Sequence, residues 1–236
     1  MMKRVTIVQD ALDYHVDEAF RVLRTNLQFC GEDKRVIAVT SSIPGEGKSN
    51  TSLRLAISLA EVGKKVVLVD ADLRKSVLNQ RMTVGEEIKG LSHYLSKQET
   101  LPNIVNSTNI DNLNLIVAGL VPPNPAELLN EEPFTKMIKV LRKVYDYIII
   151  DTPPLGSVID SAIIAEKCDG VILVIESGAV SGRFVEENIK QLEKSGCPIL
   201  GAVLNKMNRE QRGRYGKYYG RYGNKYSRYG EEYIGK

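Results

Sequence analysis

Gly45-Glu46-Gly47-Lys48-Ser49 places a lysine and a serine directly behind two closely spaced glycines, a combination suited to holding phosphate. Backbone N–H groups from Gly45 to Ser49 can converge on phosphate oxygens at the positive end of a helix. Lys48 adds a mobile point charge for the β- and γ-phosphates, and the Ser49 hydroxyl suits the coordination shell of Mg²⁺. The pattern G-x-x-x-x-G-K-[ST] is met with one departure: its leading glycine is Ser42, which is also small. Candidate nucleotide contacts are therefore Pro44, Gly45, Glu46, Gly47, Lys48, Ser49 and Asn50. Two acidic groups accompany the loop, Asp70-Ala71-Asp72-Leu73-Arg74 and Asp151-Thr152-Pro153-Pro154.

Each group stands at the end of an apolar run. Val36 to Val39 reads as a strand feeding the glycine loop, and Leu53, Leu55, Ala56, Leu59 and Ala60 recur at helical spacing behind it. That is the strand, loop and helix order a P-loop requires, and it argues against a glycine-rich turn that binds nothing. Val66 to Val69 is a buried-type strand delivering Asp70, Asp72 and Arg74 to one side just past its carboxyl end, where open α/β sheets bind ligands. An acidic turn capping the next helix is the bland alternative. Tyr147 to Asp151 has the Walker B form, a buried parallel strand carrying one carboxylate to the nucleotide edge.

Further α/β units are expected: a helix over 161–167, a strand over 170–175, a helix over 182–195 and a strand over 199–204. Asn205 then stands where it could meet an adenine edge or simply make a turn. Between 75 and 112 the chain is polar and weakly patterned, with a helix expected near 91–97, and a strand follows over 113–117. Asn124 is placed to cap a helix with Pro125 first and Glu127 third, and another helix is expected over 133–145. Near the N-terminus, Glu18, Arg21 and Arg24 recur at intervals of three on a helical pattern, forming either a solvated face or a subunit contact. The fold class expected is α/β: a doubly wound, mainly parallel sheet of the P-loop NTPase type over residues 1–208, followed by a flexible tail over 209–236.

Composition narrows the function. The chain has 236 residues, 43% of them hydrophobic, enough for one sizeable core, and its net charge of +3 is too mild to argue for nucleic acid. Cys30, Cys168 and Cys197 are scattered without C-x-x-C spacing, which fits reduced thiols in a cytoplasmic setting. His15 and His93 are too far apart in sequence to suggest a metal pair. No run has the length of a membrane span, so membrane association would need a partner.

The charge is uneven. From Arg209 onward there are eight basic and three acidic residues, a balance of +5, leaving −2 for the rest. Tyr215, Tyr218, Tyr219, Tyr222, Tyr226, Tyr229 and Tyr233 alternate there with glycine and basic residues. Spacings of three and four would suit one helical face, but each interior glycine costs about 1 kcal/mol relative to alanine. Stacking on single-stranded bases is a second possibility. A set of phosphate acceptors is a third: seven phosphates, at about −1.5 to −2 each, would invert the segment's charge.

Together the P-loop, Asp70-x-Asp72-x-Arg74, Asp151-Thr-Pro-Pro and the C-terminal tyrosine cluster closely resemble the bacterial tyrosine kinase family in its separate cytoplasmic-subunit form. Glu18-x-x-Arg21-x-x-Arg24 also resembles that family's oligomerisation motif, and the 119–129 stretch and Asn205 resemble family features. The resemblance implies an ATP- and Mg²⁺-dependent kinase that phosphorylates its own tail tyrosines within a ring-shaped homo-oligomer, an octamer. It implies activation by a transmembrane adaptor that recruits the chain to the inner face of the membrane. It further implies protein-tyrosine substrates, a counteracting phosphatase and a role in capsular or extracellular polysaccharide synthesis or export. In that scheme Lys48, Asp70 and Asp72 are catalytic, Asp70 receiving the acceptor hydroxyl, while Ser49, Asp72 and Asp151 serve the metal. The competing expectation is a partitioning or positioning ATPase of the deviant Walker A class, whose additional lysine falls where this chain has Ile43.

Overall fold

The computed structural model describes residues 3–8, 13–84 and 88–207. The seven tail tyrosines and the 209–236 segment lie outside the described residues. Among the described residues nine strands form one sheet: β1 (Arg4–Ile7), β2 (Val36–Ser41), β3 (Val66–Asp70), β4 (Met82–Val84), β5 (Asn106–Thr108), β6 (Leu113–Ile116), β7 (Tyr147–Asp151), β8 (Gly170–Glu176) and β9 (Ile199–Asn205). Their spatial order is β4-β1-β5-β6-β3-β7-β2-β8-β9, and the run from β6 to β9 is parallel throughout. Among the described residues, antiparallel pairing is confined to β1 with β4 and β5 with β6. The expected mainly parallel, doubly wound sheet is thus present. The short strands β1, β4 and β5, which extend its far edge, were not expected from the sequence.

Apolar side chains alternate between the two faces because strand residues have a period of two. Val36, Ala38, Ile148 and Ile150 face one core with Phe134 and Met137, while Ile37, Val39 and Ile149 face the other with Leu55 and Leu59. Helices cover both sides: α1 (Tyr14–Phe29), α2 (Lys48–Glu61), α3 (Leu91–Leu95), α4 (Leu101–Ile104), α5 (Pro125–Asn130), α6 (Glu132–Leu141), α7 (Asp160–Ala165) and α8 (Gly182–Glu193). All but α4, which was not expected, match the expected helices with shifts of a few residues at their ends.

Helix α2 is buried almost all round, Lys48–Asn50 opening on the loop and the rest lying between the sheet and α1. Several of its polar residues are consequently bonded. The Thr51 hydroxyl donates to the Gly47 carbonyl at 3.0 Å, and Arg24 of α1 donates from Nη1 to the Ser58 carbonyl and hydroxyl at 2.8 and 3.0 Å. Gly63, at φ +79°, follows the end of α2 as a left-handed stop.

Two local expectations are corrected. Asn124 does precede α5, but its side chain bonds the Glu127 carboxylate at 2.7 Å instead of a backbone amide. Arg24 does not join an exposed stripe with Glu18 and Arg21: it is spent inside the subunit on Ser58, whereas Arg21 pairs with Asp17 at 2.8 Å and stays half exposed beside Glu18.

Candidate active site

Strand register brings the acids together. Asp70 ends β3 directly opposite Asp151, which ends β7, and Val39 of β2 lies on the other flank of Asp151. Neighbouring strands lie about 4.8 Å apart, so carboxylates from separate parts of the chain converge where β2 runs into the glycine loop. Between β2 and α2 the loop turns on Gly45 and Gly47, at φ +89° and +93°. Nothing crowds Gly45, but a Cβ on Gly47 would sit 2.1 Å from Asn205 Nδ2.

The loop is fastened from within and from behind. Glu46 is fully buried, and its carboxylate accepts the Ile43 amide at 2.9 Å and the Glu176 amide at 3.1 Å. Asn205 Nδ2 donates to the Glu46 carbonyl at 2.8 Å. The side chain of Glu46 therefore shapes the loop and faces away from the phosphate position, and Asn205 reaches the loop itself. Pro44, Gly45, Gly47, Lys48, Ser49 and Asn50 line a cleft of about 640 Å³ in front of it.

Lys48 is 7% exposed. Its Nζ lies 3.1 Å from Ser49 Oγ, 3.2 Å from Asp72 Oδ2 and 3.7 Å from Asp151 Oδ2. Burial alone would discharge the amine, but Asp151 and Asp72 overcome it and raise its pKa. Asp151 Oδ1 lies 3.1 Å from the Ser52 hydroxyl, which is also 2.9 Å from the Lys48 carbonyl. The other oxygen, Oδ2, is buried without a hydrogen-bond partner. Lys48 at 3.7 Å balances its charge without filling that hydrogen-bonding position, and the all-oxygen set of Ser49, Asp72 and Asp151 suits a hard cation such as Mg²⁺.

Asp70 is fully buried. Oδ1 accepts the Asp72 amide at 3.2 Å and Oδ2 accepts the Ser76 hydroxyl. Burial first, then the charge of Asp151, pushes its pKa up to about 8. Arg74 lines the cleft with Asp72, but its guanidinium is hydrogen-bonded to the buried Asp160 of α7, through Nε and Nη2 at 2.8 and 3.0 Å.

Across the cleft, the Asp-Thr-Pro-Pro turn is tied to β2. Thr152 donates its hydroxyl to the Val39 carbonyl at 3.0 Å, and the Pro153 carbonyl accepts the hydroxyls of Thr40, at 3.0 Å, and of Ser161. Ser52, Ser76 and Asp160 escaped the sequence analysis. Ser52 sits one helical turn after Lys48, a spacing that could have flagged it, whereas Ser76 and Asp160 carry no motif.

A family model described as an AAA domain matches residues 34–198. The Tyrosine-protein kinase CpsD of Streptococcus agalactiae is 45% identical over 219 residues, spanning 92% of this chain and 95% of its own. Among solved structures, the chimerical protein CapA2B2 superposes with a TM-score of 0.80 at 30% identity, covering 86% of this chain and 93% of that one. The septum site-determining protein MinD of Pyrococcus horikoshii, solved with Mg-ADP, gives a TM-score of 0.64 at 26% identity, covering 75% of this chain and 72% of its own.

Proposed function

The chain belongs to the bacterial tyrosine kinase family, and we propose that it moves the γ-phosphate of ATP onto the tyrosines of its own 209–236 segment, presented by a neighbouring copy. The observation that carries this is the convergence of Lys48 and Asp72 at one cleft, with the buried Asp151 and Asp70 immediately behind them. Lys48 is charged and preplaced, and its present partners Asp72 and Asp151 yield it to the β- and γ-phosphates when nucleotide enters. Gly45 to Ser49 present the backbone amides, and Asn205 holds the loop that carries them. Ser49, Asp72 and Asp151 would hold Mg²⁺, which when bound screens the phosphate charge.

The acceptor phenol attacks the γ-phosphorus as the bond to the bridging oxygen of ADP breaks, and its proton passes to Asp70. An ordinary carboxylate, with pKa about 3.9, is a weak base for a phenol of about 10. A loose transition state lets the proton leave late, so orientation of the acceptor hydroxyl is the main service of Asp70.

The oligomeric ring, the transmembrane adaptor and the polysaccharide pathway belong to the same proposal and are supported by family membership. Among the described residues no helix is long and apolar enough to cross a membrane. A switch ATPase shares the fold, but Ile43 and Pro44 stand in place of its signature lysine and seven clustered tyrosines would have no use in it. Lys48→Met tests the assignment. Phosphotyrosine formation should fall by at least roughly 10²-fold while the far-UV spectrum is kept; near-normal activity would contradict the role given to Lys48.

A further inference from the structure

The acceptor has no open path to Asp70. Asp72, Arg74, Lys75 and Val77 line the cleft, yet Asp70 does not, and none of its surface reaches solvent. Both of its oxygens are occupied, one by the Asp72 amide and one by the Ser76 hydroxyl. A hydroxyl donating to Asp70 is the same chemical arrangement that an incoming tyrosine must adopt.

On these grounds we propose that Ser76 is a placeholder for the acceptor: its hydroxyl holds the Asp70 oxygen that the tyrosine hydroxyl takes over, and the 75–77 segment must withdraw before phosphate can transfer. This deepens the tyrosine-kinase assignment and rests on it. The segment spans two fixed points. Leu73 and Leu78 are anchored in the core at 2% and 1% exposure, and Arg74 is clamped to Asp160. Between those anchors, Lys75 and Val77 are exposed, and the bonds holding the segment are few: the Lys75 amide to Asp72 Oδ1 at 3.0 Å, the Ser76 hydroxyl to Asp70, and the Val77 carbonyl, which accepts the Gln80 amide at 3.2 Å. Withdrawal therefore exchanges one hydroxyl on Asp70 for another, releases the Lys75 amide from Asp72, and leaves the core anchors Leu73 and Leu78 in place.

The role predicts a specific split of kinetic constants. Ser76→Ala leaves a buried Asp70 oxygen unsatisfied until an acceptor arrives, so it favours acceptor binding. With a synthetic peptide of residues 214–226 as acceptor, its KM should fall about five- to tenfold, with kcat for phosphopeptide and KM for ATP within about twofold of the parent chain. Ser76→Thr, which keeps the hydroxyl, should retain the parent KM. An unchanged or raised peptide KM in Ser76→Ala, or a loss confined to kcat, would overturn the placeholder role and leave Ser76 a simple support of Asp70.

A second measurement on the unmodified chain does not depend on how the variants fold. Adding the peptide with Mg²⁺ and a non-hydrolysable ATP analogue should speed amide exchange over 75–77 relative to the analogue alone. Unaltered exchange at saturating peptide would count equally against it. If the parent chain released only inorganic phosphate with peptide present, the kinase assignment itself would fall; phosphopeptide formation indifferent to Ser76→Ala would sink only the placeholder.

Discussion

Asp169 illustrates how much one carboxylate can fasten. It sits just before β8 and accepts the amides of Arg35 and Val36 on Oδ2 at 2.9 and 2.8 Å and Arg142 Nη2 on Oδ1 at 2.6 Å, holding the start of β2 and the end of α6 together. Burial works against its charge, but Arg142 and the two amides prevail and hold its pKa below the usual carboxylate range. With a depressed folded-state value, the stability it contributes is fully present above the unfolded value of about 3.9 and disappears as pH falls through the folded value. Asp169→Asn should accordingly cost about 1–3 kcal/mol at neutral pH. Denaturant midpoints measured against pH should show that gap closing below about pH 4; a gap constant down to pH 2 would refute the assignment. At the site, Lys48, Asp72 and Asp151 were readable from motif spacing because backbone geometry alone brings strand ends to one edge. The bonds of Ser76 and Asp160 were not, since each depends on where a loop of irregular backbone returns.

At the scale of elements, the P-loop is held by its supports as much as by its glycines. Gly47 combines a left-handed φ with direct contact to Asn205, so Gly47→Ala meets both backbone strain and a collision. ATP affinity should drop at least roughly tenfold, measured by titration calorimetry, whereas Gly45→Ala, which meets only the strain, should lose less. Equal losses would show that Asn205 does not matter to the loop. The central strands were legible because β2, β3 and β7 are apolar throughout and each ends in polar chemistry. The far edge was not: β4 and β5 have three residues each, and β1, with four, shows its alternation of exposed and buried side chains for only two periods. Such strands are set by their pairing partners, which local pattern does not reveal.

For the whole molecule, α1 is an element with one side bonded to the body and another left exposed. Arg24 binds it to α2, whereas Glu18 and Arg21 stand half exposed with Val22 and Phe29, at 51% and 83% exposure, on the same helix. If this helix carries the subunit contact, Arg21→Ala should shift sedimentation toward smaller species without lowering the melting temperature. Arg24→Ala should lower the melting temperature as well, because it frees the Ser58 carbonyl and hydroxyl. Identical thermal behaviour of the two variants would remove the distinction drawn between them.

The central claim is that phosphate gathered at Lys48 is delivered to tyrosine and not to water. It is tested most directly by incubating the purified full chain with Mg-ATP, with and without the cytoplasmic end of a membrane adaptor, and mapping modification by mass spectrometry. Phosphotyrosine at several of Tyr215, Tyr218, Tyr219, Tyr222, Tyr226, Tyr229 and Tyr233, abolished by Lys48→Met, is the predicted result. Inorganic phosphate released in quantity with no tyrosine modified, even with the adaptor present, would contradict it.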